Sequence, residues 1–201
     1  MKSFINFYLI VYFILYYALV FVWVSYRVKK KTGLNPYLFK NSDTPQDFLG
    51  VISKFITLVL AIVLLINAFF TDYYKFLMPI WYLEYLTIQL IGFALIHFAL
   101  TWILIAQIQM GKSWRIGFDK QQNTELKTNG LFKISRNPVF LGMSVSLFGI
   151  LLIIPNAITL LVFVLGFVSF HVQIRLEEEY LIKTHGDVYL HYCKKTNRWL
   201  L

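Results

Sequence analysis

The sequence predicts an all-α membrane protein, a polytopic bundle of about five transmembrane helices. Hydrophobic residues make up 58% of its 201 residues, charged residues only 14%, and the mean hydropathy is +0.63. Soluble domains contain about 45–50% apolar and about 25% charged residues. The apolar residues also form long runs, as membrane-spanning helices require. Composition and pattern together exclude a soluble globular domain, a disordered tail and a disulfide-rich secreted domain.

The apolar runs define the predicted helices. A helix rises about 1.5 Å per residue, so about 20 residues cross a hydrocarbon core of about 30 Å. The first run is interpreted as a retained anchor, because no small-residue cleavage site follows it. The third is expected to enter obliquely along the interface. The last two, interrupted by Pro155-Asn156, predict a helical hairpin over residues 138–172. In order, the runs cover residues 4–26, 51–70, 81–110, 139–154 and 157–172.

The basic residues predict the orientation. Of 19 Lys and Arg residues, 17 fall at residues 27–54, 111–137 or in the tail after 172. By the positive-inside rule the N-terminus is outside and the tail is cytoplasmic. The net charge of +9 is then explained by topology and anionic lipid, and nucleic-acid binding is not expected. We expect an integral membrane protein in this orientation.

Polar residues that could carry chemistry lie in two cytoplasmic pieces, so we divide the chain functionally. Residues 1–110 form N-terminal transmembrane helices and loops. Residues 111–201 form the candidate core: a cytoplasmic loop, the hairpin and a C-terminal cytoplasmic helical cap. Cys193 is the only cysteine, which excludes an internal disulfide and a Cys-cluster zinc site. No metal motif, phosphate loop or dinucleotide fingerprint is present.

The first piece contains Arg136-Asn137-Pro138 immediately before an apolar run. Asn is a favoured N-cap and Pro a favoured first helical residue, so a helix is expected to begin here. Its free N–H groups and dipole, with Arg136 beside them, suit a carboxylate or phosphate. The alternative is a simple helix cap with a snorkelling arginine. Asn129-Gly130, just before, is a turn signal.

The second piece contains Glu177-Glu178-Glu179, next to a membrane segment on the basic side. Such acids are uncommon beside a bilayer unless a cation meets them. The alternative is a solvated face on which Arg175 and Glu179 pair at i,i+4. His185-Gly186 is expected to end this helix, and Asp187 to cap the next.

Three further features have structural explanations. His97 and Asn67 lie alone in apolar runs, and we expect both to form hydrogen bonds within the bundle. Gly142, Ser146 and Gly149 share one side of a helix and predict a close-packing seam.

These pieces together resemble the isoprenylcysteine carboxyl methyltransferase and phospholipid methyltransferase superfamily of integral membrane enzymes. The family pattern is a Gly-x-Tyr turn, Arg-His-Pro-x-Tyr-x-Gly, a hairpin, Glu-Glu-x-x-Leu, and Phe-Gly-x-x-Tyr-x-x-Tyr ahead of an Arg. The resemblance covers residues 110–199. The matching residues are Gly130, Phe132, Arg136, Asn137, Pro138, Phe140, Gly142, Glu177, Glu178, Leu181, His185, Gly186, Tyr189, Tyr192 and Arg198.

Several positions depart from that pattern. Asn137 replaces the family His, Phe132 and Phe140 replace two Tyr, and His185 replaces a Phe. A family His before the turn falls at Thr124. A family basic residue ahead of the acids falls at Gln173, with Arg175 displaced by two. An Asn at position 137 resembles the bacterial members of the family, which argues against a prenylcysteine substrate and implies an integral protein of the bacterial inner membrane.

The resemblance implies S-adenosylmethionine as cofactor and a lipophilic small molecule or lipid-attached group as methyl acceptor, with membrane lipid as surroundings and no metal. The implied catalytic residues are Arg136, Glu178 and Arg175. The implied cofactor-binding residues are Leu126, Gly130, Phe132, Arg136, Asn137, Pro138, Phe140, Glu177, Glu178 and Tyr189.

Two alternatives stay open. Membrane sterol reductases look similar around an Arg-His-x-x-Tyr-x-Gly segment and use NADPH, although the acid pair would repel a 2′-phosphate. A non-enzymatic membrane assembly factor would instead dock a partner on the cytoplasmic pieces.

Overall fold

The computed structural model describes residues 2–33, 43–115 and 125–200, and over these ranges the chain is almost entirely helical. The all-α polytopic bundle predicted from the sequence is confirmed. Within the described ranges, four helical stretches are long and apolar enough to cross a membrane, and a shorter apolar helix accompanies them. The helices are α1 (Lys2–Tyr17), α2 (Val24–Thr32), α3 (Pro45–Phe69), α4 (Leu86–Met110), α5 (Pro138–Ile153), α6 (Ala157–His185) and α7 (Asp187–Lys195).

The first membrane helix extends further than its apolar run. A six-residue π-helical segment, Ala18–Trp23, joins α1 directly to α2. Lys29, Lys30 and Lys31 lie in the last turn of α2. The end of this helix predicted at residue 26 was therefore wrong. Lysines in a last turn complement the negative end of the helix dipole, which favours continuing the helix past the apolar run.

The second membrane helix, α3, starts at Pro45 rather than at residue 51. Thr44 is its N-cap, and its Oγ1 accepts a hydrogen bond of 3.2 Å from the Asp47 backbone N–H. A cap followed by proline begins a helix regardless of hydropathy, so the polar first turn precedes the apolar run.

The consecutive helices α4 and α5 pack closely through small residues. A Cβ on Gly149 would lie 2.7 Å from Ile96 Cγ2, and one on Gly142 would lie 2.5 Å from Ile103 Cγ1. The expected packing seam is confirmed at these two glycines, where the missing side chains let the backbones approach. The Trp102 indole N–H of α4 also donates to the Pro138 carbonyl, at 2.9 Å.

The hairpin turn is held by Asn156, which is fully buried. Its Oδ1 accepts from the backbone N–H groups of Ile158 and Thr159, at 3.0 and 2.9 Å. The turn also contacts the loop before α4, since Ile80 N–H donates to Pro155 O at 2.9 Å. A short 3₁₀ turn at Trp81–Leu83 precedes α4, which starts at Leu86 rather than at residue 81.

The last membrane helix, α6, runs unbroken for 29 residues to His185, so the hairpin helix expected to end near residue 172 and the charged helix after it are one element. At about 1.5 Å per residue it is about 43 Å long, and it carries Glu178 to Arg136 and Asn137, directly before α5. Gly186, with a φ of +52°, ends it as predicted. Gly186, not Asp187, is the cap position of α7.

Both isolated polar residues bond within the bundle as predicted. Asn67 Nδ2 donates to Asn6 Oδ1 at 2.9 Å, which joins α3 to α1. The two ring nitrogens of His97 meet the Phe93 carbonyl, at 2.7 Å, and the Tyr8 hydroxyl.

Candidate functional site

The loop before α5 and the chain after α7 are bound to each other at one end of the bundle. Arg136 N–H donates to Asn197 O at 2.9 Å, and Ser135 Oγ donates to Arg198 O at 3.2 Å. The Tyr192 hydroxyl of α7 donates to Phe132 O at 2.5 Å. The two polar pieces separated by the hairpin in sequence therefore form one unit.

Gly130 packs against the end of α4. Its φ is +62°, and a Cβ there would lie 2.5 Å from the Gln109 side chain. The next backbone N–H, of Leu131, donates to Gln109 Oε1 at 2.8 Å. The Asn129-Gly130 turn is thus present, with glycine alone in the left-handed region, which glycine adopts without strain.

The electrostatic centre of this unit is Glu178, on α6. Its Oε1 lies 2.8 Å from Arg136 Nη2 and accepts from Arg136 Nε at 3.0 Å. Its Oε2 accepts from Arg198 Nη2 and Nε, at 2.6 and 2.9 Å. The carboxylate is buried and held between two guanidinium groups. The cation expected near the acids is therefore supplied by the chain itself.

The charge cluster also satisfies backbone groups. Arg136 Nη1 donates to the carbonyls of Thr196 and Cys193, at 2.8 and 3.2 Å. Asn137 Nδ2 donates to Arg198 O at 3.2 Å and makes a longer contact of 3.4 Å with Glu178 Oε1. Asn137 occupies the N-cap position of α5 as predicted, but its side chain forms no capping bond. These contacts hold the chain after α7 against the start of α5.

The pKa values of three side chains in this unit, Arg198, Tyr192 and Tyr189, are raised. The hydrogen bonds from Arg198 to Glu178 raise the pKa of the Arg198 guanidinium. Burial raises the pKa of the Tyr192 hydroxyl to about 12 and that of Tyr189 further still. Both tyrosines are therefore neutral at physiological pH.

A cavity of about 960 Å³ extends from this polar end into the apolar bundle. One wall comes from the candidate core, including Arg136, Phe140 and Glu177. The opposite wall comes from α1 and α3, including Tyr17 and Thr57, whose hydroxyls share a hydrogen bond of 2.6 Å. Small-molecule sites commonly measure about 300–1,000 Å³, so this cavity has room for a large ligand.

Most of the predicted cofactor-binding residues meet at this cavity. Its wall includes Leu126, Phe132, Arg136, Asn137, Pro138, Phe140, Glu177 and Tyr189. Gly130 and Glu178 are not among its lining residues, because Gly130 packs on Gln109 and the Glu178 carboxylate is held by two arginines. Arg175 is exposed on α6 and also lies off the wall. Thr124 lies outside the described residues.

Sequence reasoning missed part of the polar wall. Gln173 is buried, lines the cavity, and donates through Nε2 to Glu177 Oε1 at 3.1 Å. Its Oε1 is buried without a hydrogen-bond partner among the residues that the structure describes. The signal available was its position, where the family carries a basic residue.

The wall from α1 and α3 was also missed, because apolar helix faces carry no motif. Lys54 and Ser53 of α3 and Ser25 of α2 add polar groups to this wall. Across the described ranges, no three His, Cys, Asp or Glu side chains gather as metal ligands.

The fold and the site define an integral membrane protein with an internal cavity that is charged at one end and apolar along most of its length. The family model for phospholipid methyltransferase matches residues 87–188, half of the chain. The chain belongs to this family and is therefore a membrane methyltransferase. A comparison with curated proteins found no match.

Proposed function

We propose that the protein transfers a methyl group from S-adenosylmethionine to a lipophilic or lipid-attached acceptor. The observation that carries this proposal is the cavity itself, which joins Glu177 and Arg136 at one end to the apolar faces of α1 and α3. A polar cofactor and an apolar acceptor could each find matching surroundings within one continuous volume.

The hydrogen-bond-accepting oxygens on the polar wall fit the cationic ammonium group of the cofactor. Glu177 offers a carboxylate, and the unpartnered Gln173 Oε1 lies one helical turn away. An ammonium group and ribose hydroxyls are donors that such oxygens bind well. Because Glu178 is already held by Arg136 and Arg198, we assign ligand contact to Glu177 and a positioning role to Glu178.

The negatively charged carboxylate of the cofactor fits the start of α5. The first N–H groups of this helix have no partner within the helix, and the dipole is positive there. Pro138, Val139 and Phe140, which form this turn, all line the cavity. A carboxylate would bind here, with Arg136 behind it, while Leu126, Phe132 and Phe140 surround the less polar parts.

When bound, S-adenosylmethionine would supply an electrophilic methyl group: an acceptor atom would bond to the methyl carbon in line as the carbon–sulfur bond breaks, and S-adenosylhomocysteine would leave as a neutral thioether. The chain's part is alignment and the exclusion of water, since positive charge disappears during the transfer and a low dielectric favours that change. The aromatic wall at Phe132 and Phe140 provides such surroundings. The exposed Arg175 has no part in this proposal.

The division of the chain at residue 110 is part of the same proposal. Residues 111–201 provide the polar end that holds the cofactor. Residues 1–110, through α1 and α3, provide the apolar wall along which the acceptor lies.

The test compares two neighbouring carboxylates on α6. We expect Glu177→Gln to weaken binding of S-adenosylhomocysteine to the purified protein about tenfold or more, because a charge-assisted hydrogen bond is worth about 1.5–3 kcal/mol. The matched control is Glu179→Gln, whose carboxylate is exposed and pairs with Lys183 at 2.5 Å. Isothermal titration calorimetry in lipid nanodiscs measures both.

Wild-type affinity in Glu177→Gln would remove the site assignment. A parallel titration with NADPH distinguishes the methyltransferase from the reductase alternative. A reductase should bind NADPH tightly and should not bind S-adenosylhomocysteine. Methyl-labelled cofactor fed to membranes with and without the protein should label a component of the lipid extract.

A further inference from the structure

The first membrane helix changes its winding where it borders the cavity. Residues Leu9 and Tyr12 of α1 are buried, as are Val20, Val24 and Val28 beyond them. Val20 follows Tyr12 by eight positions. In a regular α-helix each position turns about 100°, so Val20 would point about 80° away from the face of Tyr12. The π-helical segment Ala18–Trp23 lies where this mismatch must be absorbed. Wide turns of this kind occur often at functional sites.

Gln107 of α4 is bonded to the wide turn. It is fully buried, and its Nε2 donates to Val20 O at 3.0 Å. Its Oε1 is buried without a partner in the described part of the chain. An apolar side chain would avoid this unmet acceptor, so burial alone does not explain an amide here.

The wide turn determines which side chains face the cavity. Tyr17, Phe21 and Val22 line it, whereas the buried Val20 does not, and its carbonyl is bonded to α4. Phe21 also stacks on Tyr17, with ring centroids 5.2 Å apart. The hydrogen bond between Tyr17 and Thr57 ties the same stretch to α3. The start of the wide turn is therefore bonded to two helices, to α3 through Tyr17 and to α4 through the Val20 carbonyl.

We propose that Gln107, through the π-helical segment, shapes the wall that contacts the methyl acceptor and is a positioning residue for acceptor binding. This inference rests on the proposed function. It predicts that loss of the Gln107 bond affects the acceptor and leaves the cofactor end of the cavity unchanged.

The experiment uses the full chain in nanodiscs made from total membrane lipid of the expression host, with methyl-labelled S-adenosylmethionine. Gln107→Met keeps the side-chain length and removes the amide. We expect the KM for acceptor lipid to rise on the order of tenfold, with kcat changed less and the affinity for S-adenosylhomocysteine within about twofold of wild type. Hydrogen–deuterium exchange should increase at residues 18–24.

The matched control is Gln89→Met. Gln89 lies at the start of the same helix and donates to Ile153 O at 3.3 Å, at the other end of the bundle. It should leave the acceptor KM unchanged. Deletion of Leu19, which removes one residue from the wide turn, is the second variant and should raise the acceptor KM in the same way.

An unchanged acceptor KM in Gln107→Met, despite faster exchange at residues 18–24, would overturn the inference, as would an equal loss of affinity for S-adenosylhomocysteine. If Gln107→Met does not fold, an unchanged acceptor KM in the Leu19 deletion would overturn it instead. Wild-type protein that binds no S-adenosylhomocysteine would refute the proposed function, and the inference with it.

Discussion

Two adjacent acids of α6 have different surroundings although their side chains are chemically the same. Successive residues on a helix point about 100° apart, so Glu177 faces the cavity while Glu178 faces Arg136 and Arg198. A buried carboxylate between two guanidiniums stabilises the cap only while all three groups are present.

We expect Glu178→Gln to lower the free energy of unfolding by about 2 kcal/mol. Breaking a buried ion pair costs about 3–5 kcal/mol, and the partial exposure of Arg198 and the remaining amide oxygen reduce that cost. Thermal unfolding in detergent measures the change. Glu179→Gln, which breaks the exposed pair with Lys183, should cost less than about 1 kcal/mol. Equal stability of the two variants would contradict the role of Glu178.

Helix starts are specified by single polar residues whose importance depends on burial. Asn156 and Thr44 are both N-caps that accept backbone N–H groups. Asn156 is fully buried and also donates from Nδ2 to Ile154 O at 3.1 Å, whereas Thr44 is exposed. Water can replace the Thr44 hydroxyl, but not the buried amide.

We therefore expect Asn156→Ala to destabilise the protein by about 2 kcal/mol or more, and Thr44→Ala by about 1 kcal/mol or less. Chemical unfolding in the same detergent compares the two caps directly. A larger effect of Thr44→Ala would show that the hairpin turn does not depend on Asn156.

At the scale of the whole molecule, the bundle has two unlike ends. The polar loop and the tail contact each other at one end, through Arg136 and Asn197 among others. The hairpin turn and the loop after α3 meet at the opposite end, where Ala157 N–H donates to Met78 O at 3.1 Å. Most of the basic residues belong to the first end, which the positive-inside rule predicts to be cytoplasmic.

Cysteine labelling tests this orientation. In a Cys193→Ser background, a single cysteine at the exposed Lys75 should react with a membrane-impermeant maleimide in right-side-out vesicles. A cysteine at the exposed Lys133 should react only after the membrane is permeabilised. The reverse pattern would place the candidate site on the outer side.

Local sequence signals predicted the parts of the fold that depend on a few neighbouring residues. Pro138 starts α5 and Gly186 ends α6 because proline and glycine restrict or permit backbone angles whatever surrounds them. The start of α3 at Pro45 and the continuation of α6 past residue 172 were missed, since helices continue through polar turns when caps and tertiary contacts support them.

The sequence by itself determined that this is a helical membrane protein of the phospholipid methyltransferase family, because hydropathy and ordered motifs are properties of the chain. It also indicated most of the polar cavity wall, from Leu126 to Tyr189. Only the tertiary structure separated Glu177 from Glu178 and added α1 and α3 to the cavity. The physical reason is that a side chain's role depends on which partners the other helices bring to it.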